Sequence, residues 1–493
     1  MRAHIALALA LLAAASPAFA DGKLPWRKDP KDIKLARGPV ERTTPHVGAI
    51  SNVIYLERCK GGCTIRKGAN DARAYTSTIP DGQGEFQIGE FQNAAGDTGP
   101  DADTEWNMLV KCVQEVYSPF NVQVTDVKPP ASVVTYHMDI VAGLPSDVNL
   151  PNSIGGVSPG GAACNGADNW ITYSFANLWN GTPVTRTWTL CGVVAQESAH
   201  AFGLDHAWSH SDGTSSCNDP MTYRNDCGGQ QFFRNDQMTC GEYQGRACMC
   251  GGLQNAHQRL INVFGPGTPI TSPPTVTLNL PAAGTTTVTS GAAFSVTAFA
   301  QRGIKAVELW VNGYKWGQAL AAKWGVNGQP ESTYTIALPS GVPDGVMDVV
   351  LKAKDDIDVT TEATITVTKG APCADASACA AGQKCEAGKC FWEPAAGVLG
   401  DECTFDQFCV SGVCAGTSDD KKFCTRECVV DSTASCEEGF RCEEGSTLGK
   451  GFCIPGSADE GGGGCATSED ATPSAALLLG LFGLGLVVVR RRR

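Results

Sequence analysis

Hydrophobic and polar positions recur with two different periods in the first half of the chain, and these periods predict its elements. Trp106, Leu109 and Val113 recur at helical spacing, which predicts a helix from Thr104 to Tyr117. A second helix is predicted from about Leu190 to Phe202. Alternating or continuous apolar runs predict strands at residues 50–56, 120–127, 133–141 and 170–175. This part of the chain is therefore expected to mix helices with strands in an α+β domain.

After Pro266 the pattern becomes strand-like throughout, in a sequence rich in Thr, Val, Ala and Gly. Val307, Leu309 and Val311 alternate with other residues and lead into the turn pair Asn312-Gly313. About six short strands at such spacing predict an all-β sandwich over residues 272–369. The region resembles bacterial immunoglobulin-like modules, which usually act as spacers or adhesive modules.

The two ends of the chain carry export and anchoring patterns. Residues 1–20 have a basic start, an apolar run and a small-residue site, which predict a cleaved secretory signal. Residues 21–45 are polar and predict a linker or short pro-segment. Residues 456–493 hold a Gly run, Cys465, an apolar stretch and four arginines, and they resemble the C-terminal sorting tails of myxobacterial surface proteins. The resemblance implies processing at Cys465, while a plain transmembrane anchor is the alternative.

The 23 cysteines suit an oxidising compartment and fall into blocks. Ten lie between Cys59 and Cys250 and twelve between Cys373 and Cys453, so each block can close on itself. Residues 372–455 have few large apolar residues, which predicts a small module held by disulfides instead of a core. Cys379, Cys385 and Cys390 are loosely echoed by the spacing of three later cysteines, which suggests two related knots.

The charge balance bears on the partners. The formal net charge is -13, and no basic stripe appears in the mature region, so nucleic acid is not expected as a partner. The export signal and the tail predict a protein outside the cytoplasm, tethered to the envelope membrane through its C-terminus or released from it.

The segment from Gln196 to His206 carries the strongest chemical signal. On a helix, Gln196 and His200 share a face, and Gly203 permits a sharp turn that brings His206 round to the same point. Two imidazoles converging in this way are a typical metal site. Glu197 would then lie beside the ion, where a carboxylate can move protons.

This segment resembles the metzincin signature H-E-x-x-H-x-x-G-x-x-H, matching it at Glu197, His200, Gly203 and His206. Asp219-Pro220-Met221-Thr222-Tyr223 looks like the Met-turn of that family. The resemblance covers residues 46–265. It implies a zinc metallopeptidase in which Glu197 is the base, Met221 underlies the metal histidines, and Tyr223 approaches the metal or the developing oxyanion.

Gln196 departs from the signature, which has histidine there. An amide oxygen is a weak donor for zinc, so three alternatives remain open. Gln196 ligates through its oxygen, another histidine such as His210 or His137 completes the site, or the site is empty and the domain only binds. We therefore expect a surface zinc endopeptidase acting on a protein or peptide, with an inactive binding or adhesion protein as the alternative.

Overall fold

The computed structural model describes residues 27–28, 34–40, 50–160, 164, 166–224, 227–321, 332–418, 421–429, 436–444 and 450–456. The predicted signal segment, Cys465, the terminal apolar stretch, His4 and His46 lie outside these residues. The chain divides into two compact units, residues 1–391 and residues 392–493. Across the described ranges, no helix combines the length and apolar character that crossing a membrane requires.

A six-stranded sheet, two smaller sheets and three helices form the described residues of the first part of the first unit. Its elements are β1 (Lys34–Val40), β2 (Val53–Glu57), β3 (Cys63–Lys67), β4 (Thr76–Ser77), β5 (Glu85–Ile88), α1 (Asp103–Tyr117), β6 (Gln123–Thr125), β7 (His137–Ile140), β8 (Ile154–Gly160), β9 (Ile171–Ser174), α2 (Pro183–His200), β10 (Ala207–His210), β11 (Met238–Cys240) and α3 (Ala256–Phe264). The large sheet has the order β1-β8-β9-β7-β2-β6. β2, β6, β7 and β9 run parallel, and β8 is antiparallel to β9.

The helices α1 and α2 share one apolar core with this sheet. Trp106, Leu109 and Val113 are buried there, as the helical pattern predicts. A disulfide between Cys112 and Cys191 joins the two helices. The bounds of α1 agree with the sequence-based expectation to one residue.

The second helix begins seven residues earlier than the sequence pattern suggested, at Pro183 instead of Leu190. Thr182 caps it by accepting a hydrogen bond from the Thr185 amide at 3.3 Å. A proline at the first helical position costs nothing, because that amide has no partner inside the helix. The longer helix gives the metal motif a rigid base of several buried turns.

The N-terminal segment docks on this first part. The Arg27 guanidinium donates to the Asn93 carbonyl at 2.7 Å, and the Lys28 amide donates to the Leu178 carbonyl at 2.8 Å. Further along, β1 pairs in parallel with β8, with Ala36 opposite Val157. The stretch expected to be a linker or pro-segment thus adds a strand to the edge of the sheet.

Residues 275–369 form a two-sheet sandwich around a second apolar core. Its strands are β12 (Thr275–Leu280), β13 (Thr287–Val288), β14 (Ala293–Phe299), β15 (Ile304–Val311), β16 (Tyr314–Leu320), β17 (Ser332–Ala337), β18 (Gly345–Asp355) and β19 (Thr360–Lys369). The sheets have the orders β12-β14-β17 and β13-β19-β18-β15-β16. The predicted hairpin turn is confirmed, since Asn312 and Gly313 both adopt positive φ, at 49° and 83°.

The described cysteines of both blocks pair within their own block. In the first block the bonds are 59–63, 112–191, 164–250, 217–227 and 240–248. In the second block they are 373–385, 379–390, 403–414, 409–424, 428–442 and 436–453. The second block therefore consists of three four-cysteine knots, one more than the spacing suggested, each linking its first cysteine to its third and its second to its fourth.

The first knot belongs to the first unit and the other two form the second unit. The first knot contains β20 (Lys384–Glu386) and β21 (Lys389–Phe391). It packs on the sandwich, where Asn312 donates to the Cys390 carbonyl at 2.9 Å. The second unit contains β22 (Glu402–Cys403), β23 (Cys414–Ser418), β24 (Lys421–Cys424), β25 (Glu427–Val429), β26 (Phe440–Glu444) and β27 (Lys450–Pro455). A multidomain, β-rich and disulfide-rich chain is thus confirmed.

Candidate metal centre

The C-terminal end of α2 and the turn after it build the site. The helix ends at His200, and Gly203 follows with a φ of 81°, a conformation that costs glycine nothing. The amide of Leu204 donates back to the Ala199 carbonyl at 3.3 Å and closes the turn. The chain then reverses into β10, which places His206 beside the last turn of α2.

This turn brings the two signature histidines together. The Nε2 atoms of His200 and His206 lie 3.0 Å apart, and both side chains are almost fully buried. The two rings are close to perpendicular, at 80°, with centroids 4.6 Å apart. Their Nε2 atoms therefore face one common point.

The opposite nitrogen of each ring is held by an acceptor. His200 Nδ1 lies 2.8 Å from the Leu204 carbonyl oxygen, and His206 Nδ1 lies 2.8 Å from Oε1 of Glu242. A carbonyl oxygen carries no proton, so His200 Nδ1 must donate. The hydrogen bond from His206 lowers the pKa of Glu242, which keeps that carboxylate ionised and accepting. In the neutral rings, each Nε2 atom therefore carries its lone pair towards the common point.

This arrangement fits a metal ion such as zinc. Two lone pairs that face each other at 3.0 Å repel unless a cation or a shared proton lies between them. Imidazole nitrogens on one tetrahedral zinc ion lie about 3.3 Å apart, given bonds of about 2.0–2.1 Å. Metal-binding histidines also commonly donate their other N–H to a carbonyl or a carboxylate, as both of these do.

Gln196 lies one helical turn before His200, on the same face of α2, and is 1% exposed. Among the described residues, its side-chain nitrogen has no hydrogen-bond acceptor. A buried amide nitrogen without such a partner lowers stability. The amide oxygen is the atom that could act as a third ligand.

Glu197 is fully buried and lies directly against β8. A Cβ atom built on Gly156 would come within 2.8 Å of Oε1 of Glu197 and within 2.7 Å of Val193. Only glycine allows the β8 backbone to approach the Glu197 carboxylate this closely. Gly156 therefore sets the position of the carboxylate, a role that the sequence pattern did not reveal.

Met221 and Tyr223 lie on the other side of the histidine pair. Met221 is fully buried, and its carbonyl accepts a hydrogen bond from the Ala207 amide at 2.7 Å, next to His206. The Tyr223 ring packs on the His206 ring with centroids 4.5 Å apart. Both residues expected near the site are thus held against the segment that carries His206.

The other described histidines make contacts of their own. His210 Nδ1 lies 2.9 Å from Oδ2 of Asp236, and its Nε2 lies 3.4 Å from the side-chain oxygen of Asn218. The His137 ring packs edge-on against Phe202 at 4.6 Å, and His257 packs against Phe120. The facing histidine nitrogens of the described site are those of His200 and His206.

Two acidic side chains, Asp205 and Glu242, lie close to His206. Asp205, His206 and Glu242 place their ligand atoms within 4.8 Å of one another. The guanidinium of Arg246 already lies between the carboxylates, 2.9 Å from Asp205 and 2.8 Å from Glu242. This arginine supplies the positive charge, so the group orients His206 and does not form a separate metal site. The three cysteine clusters have their sulfurs in disulfides and lack thiolate ligands.

Sequence reasoning missed Glu242, Arg246 and Gly156. Glu242 and Arg246 lie in the loop closed by the Cys240–Cys248 disulfide, about 40 residues after the motif. No periodic pattern marks that loop. The only available signal was its cysteine spacing, which predicts a rigid loop but not which side chain faces the histidine.

No protein-family model matches the chain, and no curated protein matches it. Among solved structures, the fibronectin(III)-like modules of CbhA from Clostridium thermocellum are 21% identical, covering 19% of this chain and 93% of theirs, with a TM-score of 0.14. Wild-type OgpA from Akkermansia muciniphila is 12% identical over 68% of this chain and 95% of its own, with a TM-score of 0.17. Inactive OgpA in complex with an O-glycopeptide substrate is 10% identical over 68% and 94%, with the same TM-score of 0.17. Such low TM-scores carry no argument about this chain.

Proposed function

We propose that this chain is an exported, surface-tethered zinc endopeptidase with a metzincin-like domain at residues 46–265. The observation that supports it most is the pair of Nε2 atoms of His200 and His206, 3.0 Å apart, with both Nδ1 atoms held by acceptors. The hydrogen bonds at the two Nδ1 atoms leave both Nε2 lone pairs facing each other. A metal-binding pair needs these hydrogen bonds, because they fix the tautomer and the ring orientation.

His200 and His206 would hold the ion, with the Gln196 amide oxygen as the third protein ligand. A bound zinc ion supplies a Lewis acid that polarises a peptide carbonyl and lowers the pKa of a water molecule. Three protein ligands leave a position open for substrate, as in other catalytic zinc sites.

Glu197 is the proton carrier of the proposed reaction. Its carboxylate would take a proton from the attacking water and deliver it to the amine that leaves. Burial of Glu197 against Gly156 keeps bulk water away from that transfer and fixes the carboxylate in one place. Tyr223, packed on the His206 ring, can donate its hydroxyl proton as a hydrogen bond to the carbonyl oxygen as negative charge develops there.

A non-catalytic surface protein remains the second candidate. It is favoured by Gln196, because an amide is a weaker ligand for zinc than the imidazole that the signature places there. In that case the same domain, the immunoglobulin-like sandwich and the knots would bind a partner or polymer. Retention of a buried Glu197 beside the histidines favours the enzyme, since a binding protein gains nothing from a carboxylate there.

Export, tethering and the sorting role of Cys465 belong to this proposal through the sequence alone. The tail and the signal lie outside the described residues. The disulfides of the described residues agree with an oxidising compartment.

Metal analysis and peptide cleavage together test the proposal. The exported protein should bind one zinc ion per chain and cleave an unstructured protein substrate. Glu197→Gln should abolish cleavage while zinc remains bound, and His200→Ala should abolish both. The exposed Glu85→Gln is the matched control and should change neither. Zinc-free parent protein, or cleavage that persists in Glu197→Gln, would contradict the enzyme.

A further inference from the structure

Three charged side chains form a fully buried cluster between the helical part and the sandwich. Arg234 and Asp356 are 0% exposed and Arg302 is 1% exposed. The Arg302 guanidinium binds both carboxylate oxygens of Asp356, at 2.7 and 2.9 Å. Arg234 reaches the same carboxylate at 3.3 Å. Two arginines thus share one buried aspartate.

The cluster joins the helical part and the sandwich by hydrogen bonds that each part donates to the other. Arg234 follows the Met-turn loop, whereas Arg302 lies in the turn between β14 and β15, and Asp356 in the turn between β18 and β19. Arg234 donates to the carbonyl of Arg302, and Arg302 donates to the carbonyl of Phe233 at 3.3 Å. Each arginine therefore bonds to the backbone that carries the other.

Arg234 also holds the Met-turn. Its amide donates to Oδ2 of Asp219 at 2.8 Å, and its Nε donates to the Asn218 carbonyl at 3.1 Å. The other oxygen of Asp219 accepts from the Met221 amide at 2.8 Å. The Met221 carbonyl in turn accepts from Ala207, the residue after His206. A series of hydrogen bonds and the residues that make them therefore leads from the sandwich to the backbone next to His206.

Because these charges are buried, the contacts between them depend on the balance of positive and negative side chains. The two arginines lie among three buried carboxylates, those of Asp219, Asp355 and Asp356. Asp356 is the carboxylate that both guanidiniums contact, so removing its charge takes away their shared partner and the arginines must move or admit water. Movement of Arg234 would release the bonds that hold residues 218–221.

We propose that the sandwich is a working part of the metal centre, in which Asp356 and Arg302 fix Arg234 and thereby fix the Met-turn beneath His206. The immunoglobulin-like region is then more than a spacer. Arg234, Arg302 and Asp356 are positioning residues, since they touch neither ligand nor substrate. The expected effect on metal affinity rests on the proposed function, whereas the expected effect on the Met-turn backbone does not.

The competing reading is that the cluster only joins two folded parts. Both readings predict that breaking it lowers the melting temperature. Only the coupling predicts that the Met-turn loosens and that metal affinity falls in protein that is still folded. Amide exchange in residues 218–224 of the metal-free protein and affinity for Co²⁺ measured by chelator competition separate the two.

The test compares Asp356→Asn with Asp358→Asn in the full chain. Asp358 lies two residues away in the same turn, but its ion pair with Lys305 is exposed, which makes it a matched control. Asp356→Asn should raise amide exchange in the Met-turn about tenfold or more and weaken Co²⁺ binding about tenfold, while Asp358→Asn changes neither. Unchanged exchange and unchanged affinity in folded Asp356→Asn would overturn the inference.

Loss of metal binding in every protein and misfolding of Asp356→Asn are the two other possible outcomes. If neither the parent protein nor the variants bind Co²⁺ or Zn²⁺, the proposed function fails. Amide exchange in residues 218–224 then decides by itself whether the sandwich fixes the Met-turn. If Asp356→Asn does not fold, Arg302→Lys replaces it, because lysine keeps the charge but loses the two-pronged contact with Asp356. Arg302→Lys should also raise amide exchange in the Met-turn and weaken Co²⁺ binding, but by less than Asp356→Asn. Parental exchange together with parental affinity in this variant would overturn the inference.

Discussion

Gly156 in β8 lies so close to Glu197 in α2 that a single added carbon would contact the carboxylate. The Cβ atom of an alanine at this position would lie 2.8 Å from Oε1 of Glu197, which is closer than van der Waals contact allows. The base of the proposed reaction is thus positioned by a residue with no side chain.

The first prediction concerns Gly156→Ala. The methyl group would displace Glu197, and a misplacement of about 1 Å costs about a hundredfold in rate. Cleavage should therefore fall by about one to two orders of magnitude, while zinc content stays at the parental value because neither histidine touches Gly156. Gly252→Ala is the control, since its added carbon meets nothing within 4 Å. Parental activity in Gly156→Ala would show that Glu197 is not the base.

The second concerns Gln196→His. Imidazole is a better zinc ligand than an amide oxygen, so zinc affinity should rise by about tenfold or more in chelator competition. Gln258→His places the same residue on an exposed face of α3 and should leave the affinity unchanged. An unchanged affinity in Gln196→His would mean that residue 196 does not face the ion.

The third concerns Asp139, which is buried in β7 and bonded to Thr172 at 2.8 Å. Burial raises the pKa of Asp139 from 3.8 to about 7. The folded protein therefore binds the Asp139 proton more tightly than the unfolded chain does. The stability gained from this proton is fully present below pH about 4 and is lost as the pH rises through about 7. Asp139→Asn should flatten that fall in the free energy of unfolding.

Urea unfolding at several pH values between 4 and 8 measures this slope. The exposed Asp81→Asn should keep the parental profile. A parental slope in Asp139→Asn would assign the pH dependence to another buried group, such as Asp219, whose pKa burial raises to about 6.

The fourth concerns β1, which occupies the open side of β8. The β8 backbone groups that face β1 are hydrogen-bonded to it and are therefore not available to another strand. Ala36→Pro removes an amide from β1 and disrupts the pairing, while the contacts of Arg27 stay in place. Amide exchange in residues 154–160 should then quicken, because β1 no longer pairs with β8. Unchanged exchange in these residues would show that β1 does not protect the edge.

The sequence predicted the parts whose signals are local. Thr104 to Tyr117 and the Asn312-Gly313 turn follow from periodicity and turn chemistry, and both are confirmed within a residue. Gly203 also turns the chain as expected. The start of α2 was missed, although Thr182 and Pro183 form a readable cap, because residues 183–189 show no clear apolar stripe.

Features that depend on tertiary contact escaped prediction. β8 contains three glycines and a proline, which strands generally avoid, and its backbone at Gly156 closely approaches Glu197. Arg302 and Asp356 would be assigned to the surface from their charge, yet they compensate each other in the interior. Neither fact can be derived from the neighbours in sequence.

The overlapping disulfides of the three knots have a consequence for survival among proteases. In each knot the loop from the first cysteine to the third overlaps the loop from the second to the fourth. A single backbone cut between Cys409 and Cys414 leaves both fragments joined by the two bonds that cross it. A cut at Arg426, between Cys424 and Cys428, crosses no bond and would part the chain. Within residues 373–453, a single cleavage therefore separates the chain only in the short stretches between knots.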